Sequence, residues 1–261
     1  MSNLALALRD SSTMLRRNLL HARRYPSLTL NLLLTPVMLL LLFVYVFGEA
    51  MSAGIGGGDR SDYIAYIVPG LLLMTIGSTT IGTAVSVAND MTEGIIARFR
   101  TMAIHRGSVL VGHVVGSVVQ SILSVVLVGA VGVAIGFRSA DATALEWLAA
   151  FGLLVLFTLA LTWIAVGMGL VSPNAEAASN NAMPLIFLPL ISSAFVPVDS
   201  MPGWFQPVAE YQPFTPAIET LRGLLLGTGI GHNGWLAVVW SLALTALGYL
   251  WATAKFNNDP K

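Results

Sequence analysis

Asp90 and Glu93 are followed within one short stretch by Arg98, Arg100 and Arg106, in the segment NDMTEGIIARFRTMAIHRGS (residues 89–108). A loop with acidic residues followed by basic ones, set between apolar stretches, favours electrostatic docking of a soluble partner over bond-breaking chemistry. Residue types suited to covalent or metal chemistry are scarce elsewhere. There is no cysteine, which excludes disulfides, thiol catalysis and cysteine metal sites. The four histidines, His21, His105, His113 and His232, have no carboxylate at metal-ligand spacing, and neither H-E-x-x-H nor G-x-S-x-G occurs. A phosphate-binding G-x-x-x-x-G-K-[ST] loop needs a lysine after glycine, and the lysines are Lys255 and Lys261. The chain is expected to bind no cofactor and to have no nucleotide site of its own, so its energy source must come from another polypeptide.

The elements that carry this loop are apolar. Hydrophobic residues make up 56% of the chain and charged residues 10%, against about 25% charged in a typical soluble domain. Mean hydropathy is +0.78. The 13 basic and 13 acidic residues cancel, which gives no footprint for nucleic acid. Six membrane spans are expected, at 28–47, 64–88, 109–136, 145–171, 177–198 and 235–254, since about 20 helical residues cross a bilayer core. Lipid forces the backbone to satisfy itself, so the expected fold is an all-α helical bundle in a single membrane domain covering 1–261.

Basic residues set the orientation. One side would hold Arg9, Arg16, Arg17, Arg23, Arg24, Arg98, Arg100, Arg106, Lys255 and Lys261, and the other Arg60, Arg138 and Arg222. Both termini and the 89–108 loop are therefore expected in the cytoplasm. In residues 1–27, Leu4, Leu8, Leu15, Leu19 and Ala22 fall within about 60° on a helical wheel, with the arginines on another arc. That fits an amphipathic helix lying on membrane lipids. A basic tail that only fixes topology is the plainer alternative.

No expected span has Asp, Glu, Lys or Arg in its interior, which disfavours ion-coupled transport. His113 and Gln120 come nearest, and a lone histidine there reads first as packing. The second span instead offers small and hydroxylated residues, including Thr75, Ser78, Thr79 and Thr83. The fifth is broken by Pro184 and Pro189 and has Asn180, Met183, Phe187, Ser192 and Phe195. Such residues suit a substrate pathway between helices that bend, although they also occur in static packing.

Residues 199–227, DSMPGWFQPVAEYQPFTPAIETLRGLLLG, hold too many prolines for one helix and too many aromatics for an ordinary loop. Two short helices are expected, the second capped by Thr215, with Pro216 first and Gly227 ending it. Glu219 and Arg222 would pair at i,i+3. The segment reads as a re-entrant hairpin in the outer leaflet, with Trp204, Phe205, Phe214, Glu219 and Arg222 at an outer gate; a plain surface loop is the alternative.

The stretches DMTEGIIARFRTMAIHRGSVLVGHVVG and MPGWFQPVAEYQPFTPAIETLRGLLLG together resemble type-2 ABC exporter permeases, specifically the daunorubicin/doxorubicin-resistance-like branch. The resemblance implies a half-transporter in the bacterial cytoplasmic membrane. Two copies, or one copy with a paralogue, would join two copies of a separate P-loop ATPase that binds ATP and Mg. It also implies a coupling helix at 93–102, touching the ATPase through Glu93, Gly94, Arg98 and Arg100. Where family members usually carry a proline soon after that helix, this chain has Ala103. The second and fifth spans would enclose the substrate cavity at the dimer axis. The function expected on this basis is outward export of an amphipathic or hydrophobic cargo such as a drug, natural product or lipid-like molecule. The alternatives are an ATP-independent channel or flippase, and a membrane scaffold that docks a cytosolic protein.

Overall fold

The computed structural model describes residues 26–48, 60–92, 106–139 and 141–258. Among these the regular structure is helical, with no strand. The expected interfacial helix at 1–27 falls almost wholly outside the described residues, as does the 93–105 connection.

Among the described residues, four helices are long and apolar enough to cross a membrane. In chain order, α1 is Pro26–Tyr45, α2 is Arg60–Thr92, α3 is Arg106–Ala134 and α4 is Ala144–Val171. Then come α5 (Ala175–Ala182), α6 (Pro184–Phe187), α7 (Gln206–Tyr211), α8 (Phe214–Leu226) and α9 (Asn233–Asn258). The four spanning candidates are α2, α3, α4 and α9. Helix α1 has 20 residues and begins at Pro26, whose missing N–H costs nothing in a first turn.

The single fifth span expected at 177–198 is not one helix. Its polar approach already belongs to α5, capped by Asn174, whose Oδ1 accepts from Ala177 N–H at 2.8 Å. Pro184 has no N–H to offer Asn180, whose carbonyl is taken by Met183 N–H instead, at 3.2 Å. After α6 the backbone tightens into a 3₁₀ turn, Leu188–Ile191, with Pro189 inside it. Helical geometry stops at Ser192, whose backbone is extended, so the expected end near Val198 is several residues too late.

Helix α2 is the axis of the molecule. Its 33 residues span roughly 50 Å at 1.5 Å per residue, more than a bilayer core. It packs against α1, α3, α4, α5, α6 and α8. Tyr63, Ile67 and Leu71 from α2 meet Phe157, Phe214 and Ile218 in one core. Two glycines bring the fifth segment close: a Cβ on Gly70 would lie 2.8 Å from Ala194, and one on Gly77 would lie 2.4 Å from the Leu185 carbonyl oxygen. Helices α4 and α9 make a second close seam, where Gly167 faces the Trp251 ring and Gly248 faces the Trp163 backbone. Helix α4 opens with a capping box, Thr143 and Glu146 each bonding the other's backbone N–H.

Candidate transport path and hairpin

The segment after α6 turns back as three short pieces: a 3₁₀ turn at Val198–Ser200, then α7, then α8. Its second helix ends as expected at Gly227, in left-handed geometry with φ 66°. Its start differs. Helix α8 begins at Phe214 with Pro213 before it, and Thr215 does not cap it. The Thr215 hydroxyl instead donates to the Ala209 carbonyl of α7 and accepts from Ser193 N–H at 3.2 Å. With Gln212 Oε1 accepting from Phe214 N–H at 3.0 Å, the tight α7–α8 turn leaves Thr215 inside the fold, where its oxygen ties two elements together.

Arg222 is the anchor of this segment. It is 9% exposed, and its guanidinium reaches three elements. Nη2–H donates to the Ser193 carbonyl at 2.9 Å and to the Tyr66 carbonyl at 3.1 Å. Nη1 pairs with Glu219 as the i,i+3 spacing predicts. The guanidinium also sits 3.9 Å from the centre of the Tyr66 ring, a cation–π contact. Tyr66 O–H donates to the same Ser193 carbonyl at 2.9 Å. Burying a cation is tolerable only with this degree of pairing.

The other expected gate residues do not gather around it. Trp204 is 80% exposed and stacks edge-on with Phe205, their centroids 5.3 Å apart. Phe214 lies in the core, edge-on to Phe157 at 5.0 Å.

The expected pathway residues divide into two groups. Thr75, Thr79 and Thr83 are buried within the bundle. Thr75 bonds back to the Leu71 carbonyl at 2.7 Å, and Thr79 bonds Ser121 of α3 at 2.7 Å. Ser78, half-buried, donates to Thr75 O. On the fifth segment Asn180, Met183 and Phe187 are exposed along one edge with Leu190. Ser192 and Phe195 turn inward, Phe195 against Phe43 of α1 with centroids 4.5 Å apart. From Asn180 to Leu190 the edge is therefore apolar with an amide at one end, and one turn before it on the same face stands the exposed Glu176. Glu93, Gly94, Arg98 and Arg100 lie outside the described residues.

Sequence reasoning missed three partners. Tyr66 and Ser193 hold Arg222 through backbone carbonyls, which residue type does not advertise. Asp90 meets His113 across α2 and α3, His113 Nε2 lying 2.9 Å from Asp90 Oδ2. His113 is thus packed and hydrogen-bonded, as a lone membrane-end histidine was expected to be. Among the described residues no group of three metal-ligating side chains occurs.

The arrangement, long apolar helices followed by a broken fifth segment and a hairpin pinned onto α2, has a matching family. The profile of the ABC-2 type transporters matches residues 10–226. The chain belongs to the ABC-2 type transporter family. It is a multi-pass membrane protein and the membrane subunit of an ABC transporter. Among its relatives, a daunorubicin resistance ABC transporter permease of Streptomyces coeruleorubidus is 28% identical over 86% of this chain and 77% of the relative. A probable doxorubicin resistance ABC transporter permease of Mycobacterium tuberculosis is 24% identical over 62% of this chain, which spans 58% of that relative. Nodulation protein J of Rhizobium meliloti is 24% identical over 73% of each chain.

Proposed function

We propose that this subunit exports an amphipathic or hydrophobic cargo outward across the bacterial cytoplasmic membrane, driven by a separate ATPase. The observation that carries the cargo class is the apolar stretch of the broken fifth segment, where Asn180 is followed by exposed Met183, Phe187 and Leu190. A surface of that kind takes hydrocarbon and a neutral polar group. The resistance permeases among the relatives support the same class. On this reading two copies of the chain, or one with a paralogue, stand on two ATPase subunits that hold ATP and Mg. Both termini and the 93–102 coupling helix are cytoplasmic, and Glu93, Gly94, Arg98 and Arg100 make the contact.

Nucleotide closure of the ATPases moves the coupling helices. Motion reaches α2 directly, because the loop follows it in the chain. Helix α2 touches α5 and α6 along its length and holds α8 through Arg222. Tilting α2 therefore shifts the cargo edge and the re-entrant hairpin together, which is the geometry of an outer gate.

The deciding experiment is a mild-detergent pull-down of the tagged chain from native membranes. A stoichiometric P-loop ATPase is expected. Its absence from an intact permease assembly would favour an ATP-independent channel, flippase or scaffold.

A further inference from the structure

The helices on either side of the 93–105 connection are joined by a contact that the connection itself does not impose. The chain from Thr92 to Arg106 could reach roughly 45–50 Å if extended, so it leaves the two helix ends free to separate. Yet Asp90, in the last turn of α2, bonds His113, which lies about 10 Å along α3 from its start, with N···O 2.9 Å. The side chains are 3% exposed for His113 and 13% for Asp90, so water competes little for the bond. Around this end lies a second apolar cluster, separate from the main core. Val87 of α2 and Leu110 and Val114 of α3 meet Trp163 and Leu170 of α4 and Phe256 of α9 there.

We propose that Asp90 and His113 are positioning residues that lock α2 and α3 into one rigid base, so that force arriving through the 93–105 connection moves both helices as a unit. The lock stands on geometry alone; its coupling role rests on the exporter reading above. Apolar packing holds the helices side by side but permits sliding and rotation, whereas directional hydrogen bonds fix their relative height and azimuth. A second such bond, Thr79–Ser121, lies about 16 Å farther from the connection along α2, so without Asp90–His113 the push would be absorbed as slip at the connection end of the pair.

The absence of cysteine allows clean spin labelling of the full chain in lipid nanodiscs. Labels at Ser86→Cys on α2 and Val115→Cys on α3, both exposed, read the base. The parent is expected to give one narrow distance, the same without nucleotide and with ATP plus vanadate. Asp90→Ala and His113→Ala are expected to broaden it about twofold, as a lost directional bond frees the pair. Asp90→Asn, whose amide oxygen still accepts from His113, restores the narrow distance. An Asp90→Ala distance as narrow as the parent's, or a parent distance that shifts with nucleotide, overturns the lock. If Asp90→Ala fails to reach the membrane, His113→Ala gives the same reading, with His113→Gln as its conservative rescue.

Coupling is read at the far end, between labels at Leu145→Cys and Val208→Cys, both exposed. An ATP-dependent shift is expected in the parent and in Asp90→Asn, and about a threefold smaller one in the alanine variants with the ATPase still bound. An unreduced shift refutes the coupling role. If no ATPase comes down with the parent chain, the exporter reading fails, while the nucleotide-free distances still judge the lock.

Discussion

A single guanidinium decides how the hairpin sits. Replacing Arg222 by Met keeps the apolar stem but leaves the Ser193 and Tyr66 carbonyls with fewer donors and Glu219 without its pair. Each buried polar group left unmet costs about 1–3 kcal/mol, so Arg222→Met is expected to destabilise the fold by roughly 2–4 kcal/mol. Thermal unfolding in detergent reads this, and a midpoint equal to the parent's would show that the hairpin is held by its apolar contacts. Arg222→Lys should recover only part of the loss, because an ammonium lacks the planar fork that spans two carbonyls. The requirement at Gly77 is steric. A methyl there would meet the Leu185 carbonyl oxygen, which is backbone and cannot swing away. Gly77→Ala is expected to cost about 1–3 kcal/mol and to separate α2 from α6. Limited proteolysis within 183–200 should then accelerate; an unchanged cleavage rate would contradict the close approach.

The elements were unevenly legible in the sequence. Long apolar runs announce helices by length alone: α2, α4 and α9 contain the stretches expected, and α3 covers its stretch except Ile135 and Gly136. Gly227 was readable because ending a helix in left-handed geometry favours glycine. Thr215 was misread because the local pattern, Thr before Pro, is that of a cap, while the Gln212–Pro213 turn starts the helix two residues earlier. The partners of Arg222 were invisible: Tyr66 lies 156 residues away and offers a backbone oxygen. Asp90 and His113 are 23 residues apart, and only the packing of α2 on α3 makes them neighbours. The fifth segment was recognisably broken, but not where it ends. Its prolines make a prediction of their own. Pro184→Ala restores a donor for the Asn180 carbonyl, and alanine is about 3 kcal/mol better than proline inside a helix. The variant is expected to be at least as stable as the parent, yet slower in transport, because a straight α5–α6 rod no longer bends at the cargo edge. Equal transport rates in reconstituted vesicles would remove bending from the mechanism.

At the scale of the whole molecule, function is split between surfaces. The apolar exterior of α9, with Trp235, Leu242, Leu247 and Leu250 exposed, faces lipid on this reading and asks only for hydrocarbon. On the same reading the charged loop faces the ATPase. Reversing both Arg98 and Arg100 to Glu is expected to weaken ATPase binding by roughly tenfold or more, the scale of losing charge-assisted contacts at an interface. Membrane insertion should be unaffected. Full transport by the double variant would move the coupling contact elsewhere in the chain.

The seam between α4 and α9 has a mechanical meaning. At Gly167 the Trp251 ring fills the notch left by a missing side chain, and at Gly248 on the other helix the backbone of Trp163 and Ile164 approaches as closely. One ring set in a notch and one backbone approach, with the glycine on a different helix each time, resist ratcheting of the pair along its axis and rolling about it. On the exporter reading this pair would serve as a stator, a wall against which α2 and what it carries move when cargo passes.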